Sequence, residues 1–290
     1  MKTLITALII YLGLAQAIFA MDLSLSSQTL RLGDVIRLDV HSNTAIKRSN
    51  ITFNKKRFEL FLEKQSGNQY HYMAYIAASR KATPGHYTLK VDIQSTGIES
   101  VYQHYKITLD YPAKRDTGKV NLSKSGKKAA SDRSDYQKEG ALLAKVFSTK
   151  SNTSYIDGAF KLPAKGRFSS AFAKLRTYNN GSQSSHAGLD ISNKRGTTIV
   201  APEAGKVVLS QSLVVHGNIV AIDHGFGVQS VFAHLDSRLV KEGDIVKRGQ
   251  KIGKMGDTGV ASGVHVHWGV SVQNVRVDPV FWLDKRSHFL

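Results

Sequence analysis

Two histidines lie one residue apart near the C-terminus, in the stretch SGVHVHWGV at residues 262–270. Successive side chains of a strand point to opposite faces, so His265 and His267 share one face while Val264, Val266 and Trp268 share the other. The apolar face predicts a core. The two imidazoles lie roughly 7 Å apart at the backbone, which is close enough for both to serve one small site.

Two further patterns carry residues that could do chemistry. SSHAGLDIS places His186 four residues before Asp190, and FAHLDS contains His234. Each pattern is weak alone, but together with the paired histidines they supply four imidazoles and one carboxylate, a set typical of a zinc site with catalytic companions. A fully extended segment would separate the backbones of His186 and Asp190 by about 13 Å. We therefore expect the chain to turn at Gly188, where no Cβ hinders it.

The other histidines lack ligand spacing. Seven of the 11 histidines follow residue 185, and this clustering predicts that a site built from histidines lies in the C-terminal half. His224 in IDHGFG is interpreted as a structural turn residue, and His216 and His288 have no partner pattern. The N-terminal histidines are expected to be structural or surface residues: His41, His71, His86 and His104.

The elements that must position these residues are mostly β-strands. Residues 21–112 show short alternating apolar segments between turn residues, which predicts a small N-terminal β-sandwich-like domain. Residues 159–290 are again strand-like and rich in glycine, which predicts a C-terminal antiparallel β-sheet domain that carries the histidines.

Residues 113–158 join these two domains. The stretch AKRDTGKVNLSKSGKKAASDR is polar and basic, which is typical of a linker. A short helix is predicted in SDYQKEGALLAKVFS, where an apolar stripe follows the helical period: Leu142, Leu143, Val146 and Phe147. The basic linker could contact anionic envelope polymers, and a solvated linker without a partner is equally compatible with its composition.

Composition limits the class of protein. The first 20 residues resemble a secretory signal, with Lys2, an apolar stretch and cleavage points after Ala17 or Ala20; a retained membrane anchor is the alternative. We expect an exported protein. The absence of cysteine excludes thiolate zinc sites and cysteine nucleophiles. A net charge of +18 predicts attraction to polyanions, but no nucleic-acid-binding motif is present, so no nucleic acid partner is expected.

These motifs resemble a known family. HAGLD, an isolated AHL and HVH before an aromatic residue closely match the M23 zinc metallopeptidases, the LytM/lysostaphin-type peptidoglycan endopeptidases. Intervening segments such as GTTIVAPEAGKVV and VKEGDIVKRGQKIGKMGDTG agree as well. The resemblance covers roughly residues 165–284, and the N-terminal region resembles that of exported, Gram-negative-type members more loosely. It implies a location in the periplasm, or secretion with attachment to the cell wall.

Carried over by position, the resemblance implies one zinc ion held by His186, Asp190 and His267, with water in the fourth position. It implies catalytic roles for His234 and His265. We interpret His265 as the base that takes the water proton and His234 as the group that stabilises the oxyanion and protonates the leaving amine; the two roles could be exchanged. One departure is Gly269, which replaces an acidic residue that follows the aromatic residue in many members.

Three functions remain to be compared. The first is a peptidoglycan endopeptidase, which would cleave a D-Ala–diaminopimelate cross-link or a glycine-rich bridge. The second is a non-catalytic LytM-type activator of another wall hydrolase, and the presence of all three ligand positions favours the enzyme over it. The third is a different zinc hydrolase, which would need a Glu-x-x-His segment that this sequence lacks. The sequence does not give the oligomeric state.

Overall fold

Alternating apolar residues build two sheets in the first part of the chain. The structure is a computed structural model that describes residues 21–97, 99–112, 116–122, 133–149, 151–178 and 181–283. One sheet has the order β1-β3-β7-β6, and the other has the order β2-β9-β8-β4-β5. The strands are β1 Met21–Leu25, β2 Thr29–Arg31, β3 Val35–Ser42, β4 Ile46–Phe53, β5 Lys56–Phe58, β6 Phe61–Ser66, β7 Gln69–Ala77, β8 Gly85–Ser95 and β9 Val101–Asp110.

The apolar faces of the two sheets meet in one core. Leu38 and Ile76 from the first sheet and Ile51 and Val91 from the second are all buried in the same hydrophobic cluster. Side chains alternate between faces along each strand, so one apolar face per sheet is enough to hold such a pair together. The mostly β architecture predicted from the sequence is confirmed.

The second part of the chain forms a ten-stranded sheet and a three-stranded sheet. The larger sheet has the order β11-β14-β21-β18-β17-β16-β19, with β15, β20 and β22 paired at its sides, and the smaller one has the order β10-β12-β13. The remaining strands are β10 Thr117–Val120, β11 Arg167–Ser170, β12 Leu175–Tyr178, β13 Gln183–Ser185, β14 Leu189–Ser192, β15 Thr198–Val200, β16 Gly205–Leu213, β17 Gly217–Asp223, β18 Val228–Arg238, β19 Ile245–Val246, β20 Lys251–Met255, β21 Val266–Val272 and β22 Val275–Val277.

Two elements of the expected linker pack against the C-terminal domain. Strand β10 pairs in parallel with β12, and helix α1, Arg133–Phe147, lies on the large sheet. Three residues of its predicted apolar stripe, Leu143, Val146 and Phe147, are buried against Ile219, Ala221, Val231 and Ala233. The helix therefore docks because of that stripe, as amphipathic surface helices generally do. Residues 123–132 of the linker lie outside the described residues.

Direct contacts join the two domains. The turn between β21 and β22 inserts Gln273, whose side chain accepts the Glu59 N–H at 2.7 Å and donates to the Glu59 carbonyl at 3.1 Å. Phe61 stacks on Phe226 with ring centroids 5.2 Å apart. At Gly33 a Cβ would lie 2.6 Å from the Cβ of Asp278, so the close approach there requires glycine. The two domains thus share an interface with fixed contacts.

A short helix, α2, Pro279–Leu283, ends the described part of the chain. None of the helices in the described ranges combines the length and apolar character needed to cross a membrane. The proposed signal segment, residues 1–20, lies outside those ranges.

Candidate metal centre

Two neighbouring strands bring Asp190 and His267 together. Strands β14 and β21 pair antiparallel with these two residues directly opposite each other, and His186 lies just before β14. The Asp190 Oδ1 atom is 3.0 Å from His186 Nε2 and 2.9 Å from His267 Nδ1, and the two nitrogens are 3.0 Å apart. The three ligand positions implied by the sequence therefore converge on one point.

Gly188 makes this convergence possible. The chain bends there between His186 and β14, as the spacing argument expects. A Cβ at this position would lie 2.3 Å from the carbonyl oxygen of Trp268 and 2.9 Å from the His267 ring. Glycine is therefore required because β21 passes so close, rather than because of an unusual φ.

The atoms at the centre fit a metal ion. The Nδ1–H of His186 donates to the Ala171 carbonyl at 2.8 Å, which leaves Nε2 with a lone pair aimed at Asp190 Oδ1. Two imidazole nitrogens and one carboxylate oxygen thus converge at 2.9–3.0 Å. Tetrahedral zinc with bonds of about 2.0–2.1 Å places its ligand atoms roughly 3.3 Å apart, which is close to the observed spacing. Nitrogen and oxygen donors of this kind suit zinc.

Burial affects the protonation states of the candidate metal ligands. Burial alone would raise the pKa of Asp190, but the close contacts of its carboxylate with His186 and His267 outweigh burial and hold that pKa well below the usual range. Burial lowers the pKa of His267 to about 3, even though Asp190 acts in the opposite direction. The carboxylate is therefore charged and the imidazole neutral at pH 7, which are the forms that bind a cation.

The other two predicted site residues lie beside the candidate ligands. The rings of His234 and His265 are 4.9 Å apart, and His265 Nε2 is 3.8 Å from Asp190 Oδ1. Each ring donates its Nδ1–H to a backbone carbonyl, of Thr258 at 2.9 Å and of Gly263 at 2.8 Å. This leaves Nε2 of each ring as an acceptor. Burial, followed by the neighbouring imidazoles, lowers the pKa of His234 well below its usual value, so it is neutral at pH 7.

Sequence reasoning missed Arg176, which holds the second oxygen of the carboxylate. Its Nη2 donates to Asp190 Oδ2 and, at 2.9 Å, to Ser170 Oγ. Asp190 thus presents Oδ1 to the imidazoles and Oδ2 to a guanidinium. The one available signal is its place shortly before His186 in the sequence, in the segment that forms strand β12. Asn179 and Asn180 of the same segment lie outside the described residues.

Glu139 of helix α1 is a second residue that the sequence did not single out. Its buried carboxylate accepts hydrogen bonds from the N–H groups of Val215 and His216 at 2.8 and 3.1 Å, and from His216 Nδ1 at 2.6 Å. The His216 carbonyl in turn accepts the His234 N–H at 2.9 Å. His216, for which the sequence offered no partner, therefore links helix α1 to a predicted catalytic histidine.

The backbone of His234 is in an unusual conformation. Its φ is +63°, a region that costs a residue with a Cβ about 1 kcal/mol or more. The surrounding hydrogen bonds to the His216 carbonyl and from its ring to Thr258 hold this conformation. Strain of this kind is typical of functional positions, so the backbone supports a specific role for this ring.

His224 has structural partners. It is fully buried, and its two ring nitrogens lie 2.7 Å from the Ala204 carbonyl and 2.9 Å from Ser230 Oγ. Burial lowers its pKa to about 4. This residue therefore supports the turn after β17. His288 lies outside the described residues.

A cleft of about 440 Å³ opens at the centre. Its lining includes four cationic residues, Lys119, Arg167, Lys174 and Arg176. It also includes Asp190, His234 and His265 and the segment residues Val260, Ser262, Gly263 and Val264. Lys119 belongs to β10, so part of the expected linker contributes to the cleft.

Comparison with known proteins gives one match within the C-terminal domain and one that covers most of the chain. Residues 184–279 match the family described as Peptidase family M23. A crystal structure from Pseudomonas aeruginosa, described as an M23 peptidase, superposes with a TM-score of 0.60 at 26% identity, covering 82% of this chain and 89% of that one. That likeness extends over both domains.

Two curated relatives have different functional names. The peptidoglycan DD-endopeptidase ShyB of Vibrio cholerae is 39% identical over 93 residues, 32% of this chain and 22% of the relative. The murein hydrolase activator NlpD of Salmonella typhimurium is 32% identical over 140 residues, 48% of this chain and 35% of the relative. This chain therefore spans about a third or less of the length of these relatives.

Proposed function

The chain carries a domain of peptidase family M23, and from its site we propose that it is an exported zinc endopeptidase that hydrolyses peptide cross-links of peptidoglycan. The observation that carries this proposal is the convergence of His186, Asp190 and His267 at 2.9–3.0 Å with two further imidazoles beside them. A protein that acts only by contact with another hydrolase has no need of a complete ligand set with neutral bases next to it.

In this proposal each side chain has a defined task. His186, Asp190 and His267 would hold the zinc ion, which when bound would lower the pKa of water and polarise the scissile carbonyl. His265 Nε2, 3.8 Å from Asp190 Oδ1, accepts the proton of the attacking water. Because Nε2 of His234 carries no proton at pH 7, it receives the proton that His265 takes from the water, and in this protonated form it stabilises the developing oxyanion and delivers that proton to the leaving amine. The bond broken is the amide C–N bond, and the products are a carboxylate and an amine.

The substrate class and location rest on relatives and on the sequence. The names of the two curated relatives concern peptidoglycan and murein, and the N-terminal segment resembles a secretory signal. We place the protein in the periplasm of a Gram-negative-type envelope. The expected scissile bond is a D-Ala–diaminopimelate cross-link.

Intact sacculi provide the test. The mature wild type should convert cross-linked muropeptide dimers to monomers, and Asp190→Ala should abolish both zinc binding and this conversion. His104→Gln removes an exposed histidine of the N-terminal domain and should change neither zinc binding nor dimer conversion, so it serves as the control. If zinc-loaded wild type leaves all dimers intact, the enzyme proposal is wrong.

The activator function is the second candidate, and the similarity to NlpD favours it. It predicts that the protein alone leaves sacculi intact but increases their digestion by an added murein hydrolase. Under that function Asp190→Ala would retain the stimulation, because no zinc chemistry is involved.

A further inference from the structure

The ring nitrogen of His267 that faces away from the metal centre lies near an arginine. Nδ1 of this ring is 2.9 Å from Asp190 Oδ1 and 3.0 Å from His186 Nε2, so its Nε2 points away from both. A Cβ placed on Gly269 would lie 3.2 Å from Arg276 Nη1 and 3.6 Å from His267 Nε2. The guanidinium and the back of the imidazole are therefore neighbours of the same point.

Strand pairing and helix α1 hold Arg276 in this place. Arg276 of β22 lies directly opposite Ser271 of β21, and residues four apart in a strand share a face, so Arg276 is on the face of His267. Gly269, between Ser271 and His267 on that face, has no side chain to keep the guanidinium away. The guanidinium carbon lies 3.7 Å from the centre of the Phe147 ring of α1.

The charge of Arg276 has no anionic partner among the described residues. Its Nη1 atom is buried and makes no hydrogen bond within that part of the chain. Burial, followed by the positive charge of Arg80, lowers the pKa of Arg276 to about 9, so the guanidinium is still charged at pH 7. A charge removed from water without an opposite charge beside it is unfavourable. An uncompensated positive charge thus lies behind a candidate metal ligand.

This arrangement differs from the usual surroundings of a metal-binding histidine. A histidine that binds a metal through one ring nitrogen generally donates the N–H of the other to a carboxylate, a carbonyl or a water. With Nδ1 as the ligand atom, the proton of His267 is on Nε2. The three atoms nearest to the Cβ point of Gly269 are Arg276 Nη1, His267 Nε2 and the Ala187 carbonyl oxygen at 3.5 Å. A cation and a neutral carbonyl stand where a carboxylate would strengthen the ligand.

We propose that Arg276 is a positioning residue of the metal centre and that its charge weakens zinc binding. This inference rests on the proposed function, because it concerns the zinc ion of the same centre. A carboxylate behind a histidine raises the basicity of that ligand, and a cation has the opposite effect. The guanidinium also repels a divalent cation directly. Arg176 acts differently, because it binds the Asp190 carboxylate itself and so fixes that ligand.

Removing the charge of Arg276 tests the inference. Arg276→Met keeps an apolar stem beside Phe147 and removes the charge, so zinc affinity should rise about fivefold. Arg276→Lys keeps the charge and should stay within about twofold of wild type. Competition with a chromophoric chelator measures zinc affinity without turnover. Arg48→Met, at an exposed position of β4, is the control and should leave zinc affinity unchanged.

A carboxylate at position 269 tests the same effect without changing the arginine. The φ of Gly269 is outside the left-handed region, so a residue with a side chain can adopt this backbone conformation. Gly269→Glu should neutralise Arg276 and accept the Nε2–H of His267, which should raise zinc affinity about tenfold or more. Gly269→Gln has the same size without the charge, and should raise zinc affinity less than about threefold.

Equal zinc affinity in wild type, Arg276→Met and Gly269→Glu would overturn the inference, because the charge would then have no effect on the centre. The same change in Arg276→Met and Arg276→Lys would also overturn it, since loss of the stacked guanidinium would be the cause. Urea unfolding shows whether each variant is folded, and Gly269→Glu still tests the charge if Arg276→Met is not.

Hydrolysis of cross-links, measured separately, distinguishes this inference from the proposed function. The expected affinities without any hydrolysis by wild type would support the role of Arg276 and refute the endopeptidase. Hydrolysis by wild type with unchanged affinities in the variants would refute the role of Arg276 alone. A wild type that binds no zinc would overturn both.

Discussion

At the residue scale, the two oxygens of the Asp190 carboxylate have different partners, and these partners fix the orientation of the carboxylate. Oδ1 faces the two imidazoles and Oδ2 faces Arg176. Partners behind a ligand fix its orientation and commonly change metal affinity by 10- to 100-fold. Arg176 is therefore a positioning residue for Asp190, the proposed metal ligand.

Removing Arg176 should weaken zinc binding. Arg176→Gln leaves Asp190 Oδ2 without its cationic partner, so we expect zinc affinity to fall about 10- to 100-fold. A competition titration with a chromophoric chelator measures it. Arg57→Gln, an exposed arginine of the N-terminal domain, is the matched control. Unchanged affinity in Arg176→Gln would mean that the contact has no part in holding the ligand.

The buried neutral histidine His224 should make the fold sensitive to acid. Its pKa is about 4 in the folded chain against 6.5 when exposed, so below pH 6.5 the unfolded chain takes up a proton that the folded chain does not. The free energy of unfolding should therefore fall by about 3 kcal/mol between pH 6.5 and 4 because of this residue. Urea unfolding of His224→Gln should show a correspondingly smaller decrease over that range. An identical pH dependence in both proteins would contradict the assignment.

Strand alternation predicts which face the paired histidines share, but it does not predict what covers that face. His265 and His267 do lie on the side of the centre, yet Gly269 and Ser271 on the same face of β21 are buried too. Arg276 lies 3.2 Å from where a Cβ of Gly269 would be and stacks on Phe147 of α1. These are contacts between distant parts of the chain, so no local period encodes them.

At the scale of elements, helix α1 is part of the site rather than a spacer. Its apolar stripe is readable from the sequence, and the structure buries Leu143, Val146 and Phe147 on the large sheet. The role of Glu139 is not readable, because its partners Val215 and His216 are 76 and 77 residues away. Hydrogen bonds from those groups, chiefly from His216, outweigh burial and lower the pKa of Glu139.

Truncating Glu139 should affect both stability and turnover. Glu139→Ala leaves the buried Val215 N–H and the partly buried His216 N–H without their acceptor, which costs about 1–3 kcal/mol in the free energy of unfolding. We also expect kcat to fall while zinc content stays the same, because the His216 carbonyl no longer holds the His234 N–H in place. Urea unfolding, metal analysis and hydrolysis of a cross-linked peptide measure these effects.

Two further variants control this prediction. Glu139→Gln keeps a carbonyl oxygen in the same place and should retain much of the stability. Glu242→Gln, at an exposed position, should behave as wild type. If Glu139→Ala is destabilised but turns over substrate normally, the connection from α1 to His234 has no catalytic effect.

At the scale of the whole molecule, the two domains form one body with a common core. Gln273 is buried at their interface with two hydrogen bonds to the Glu59 backbone, and Tyr75 packs edge-on against Trp282 at 5.6 Å. The sequence separates the two β regions by their strand patterns but gives no sign of this interface. A glutamine in a hairpin turn looks like any solvent-exposed turn residue.

Unfolding should therefore be cooperative across both domains. Calorimetry of wild type should show one transition, and Gln273→Ala should lower the free energy of unfolding by about 1–3 kcal/mol because the Glu59 N–H loses its acceptor. Gln94→Ala, at an exposed position of β8, is the control. Two separate wild-type transitions would show that the interface is too weak to couple the domains.

The central claim is that the centre is catalytic, and His265→Ala tests it most directly because this residue is proposed to move a proton without holding the metal. Metal content and cross-link hydrolysis are measured on the same preparations of wild type and variant. We predict one zinc per chain in both proteins, with hydrolysis by the variant at least about 100-fold slower. Equal hydrolysis by both proteins, or none by zinc-loaded wild type, would contradict this account.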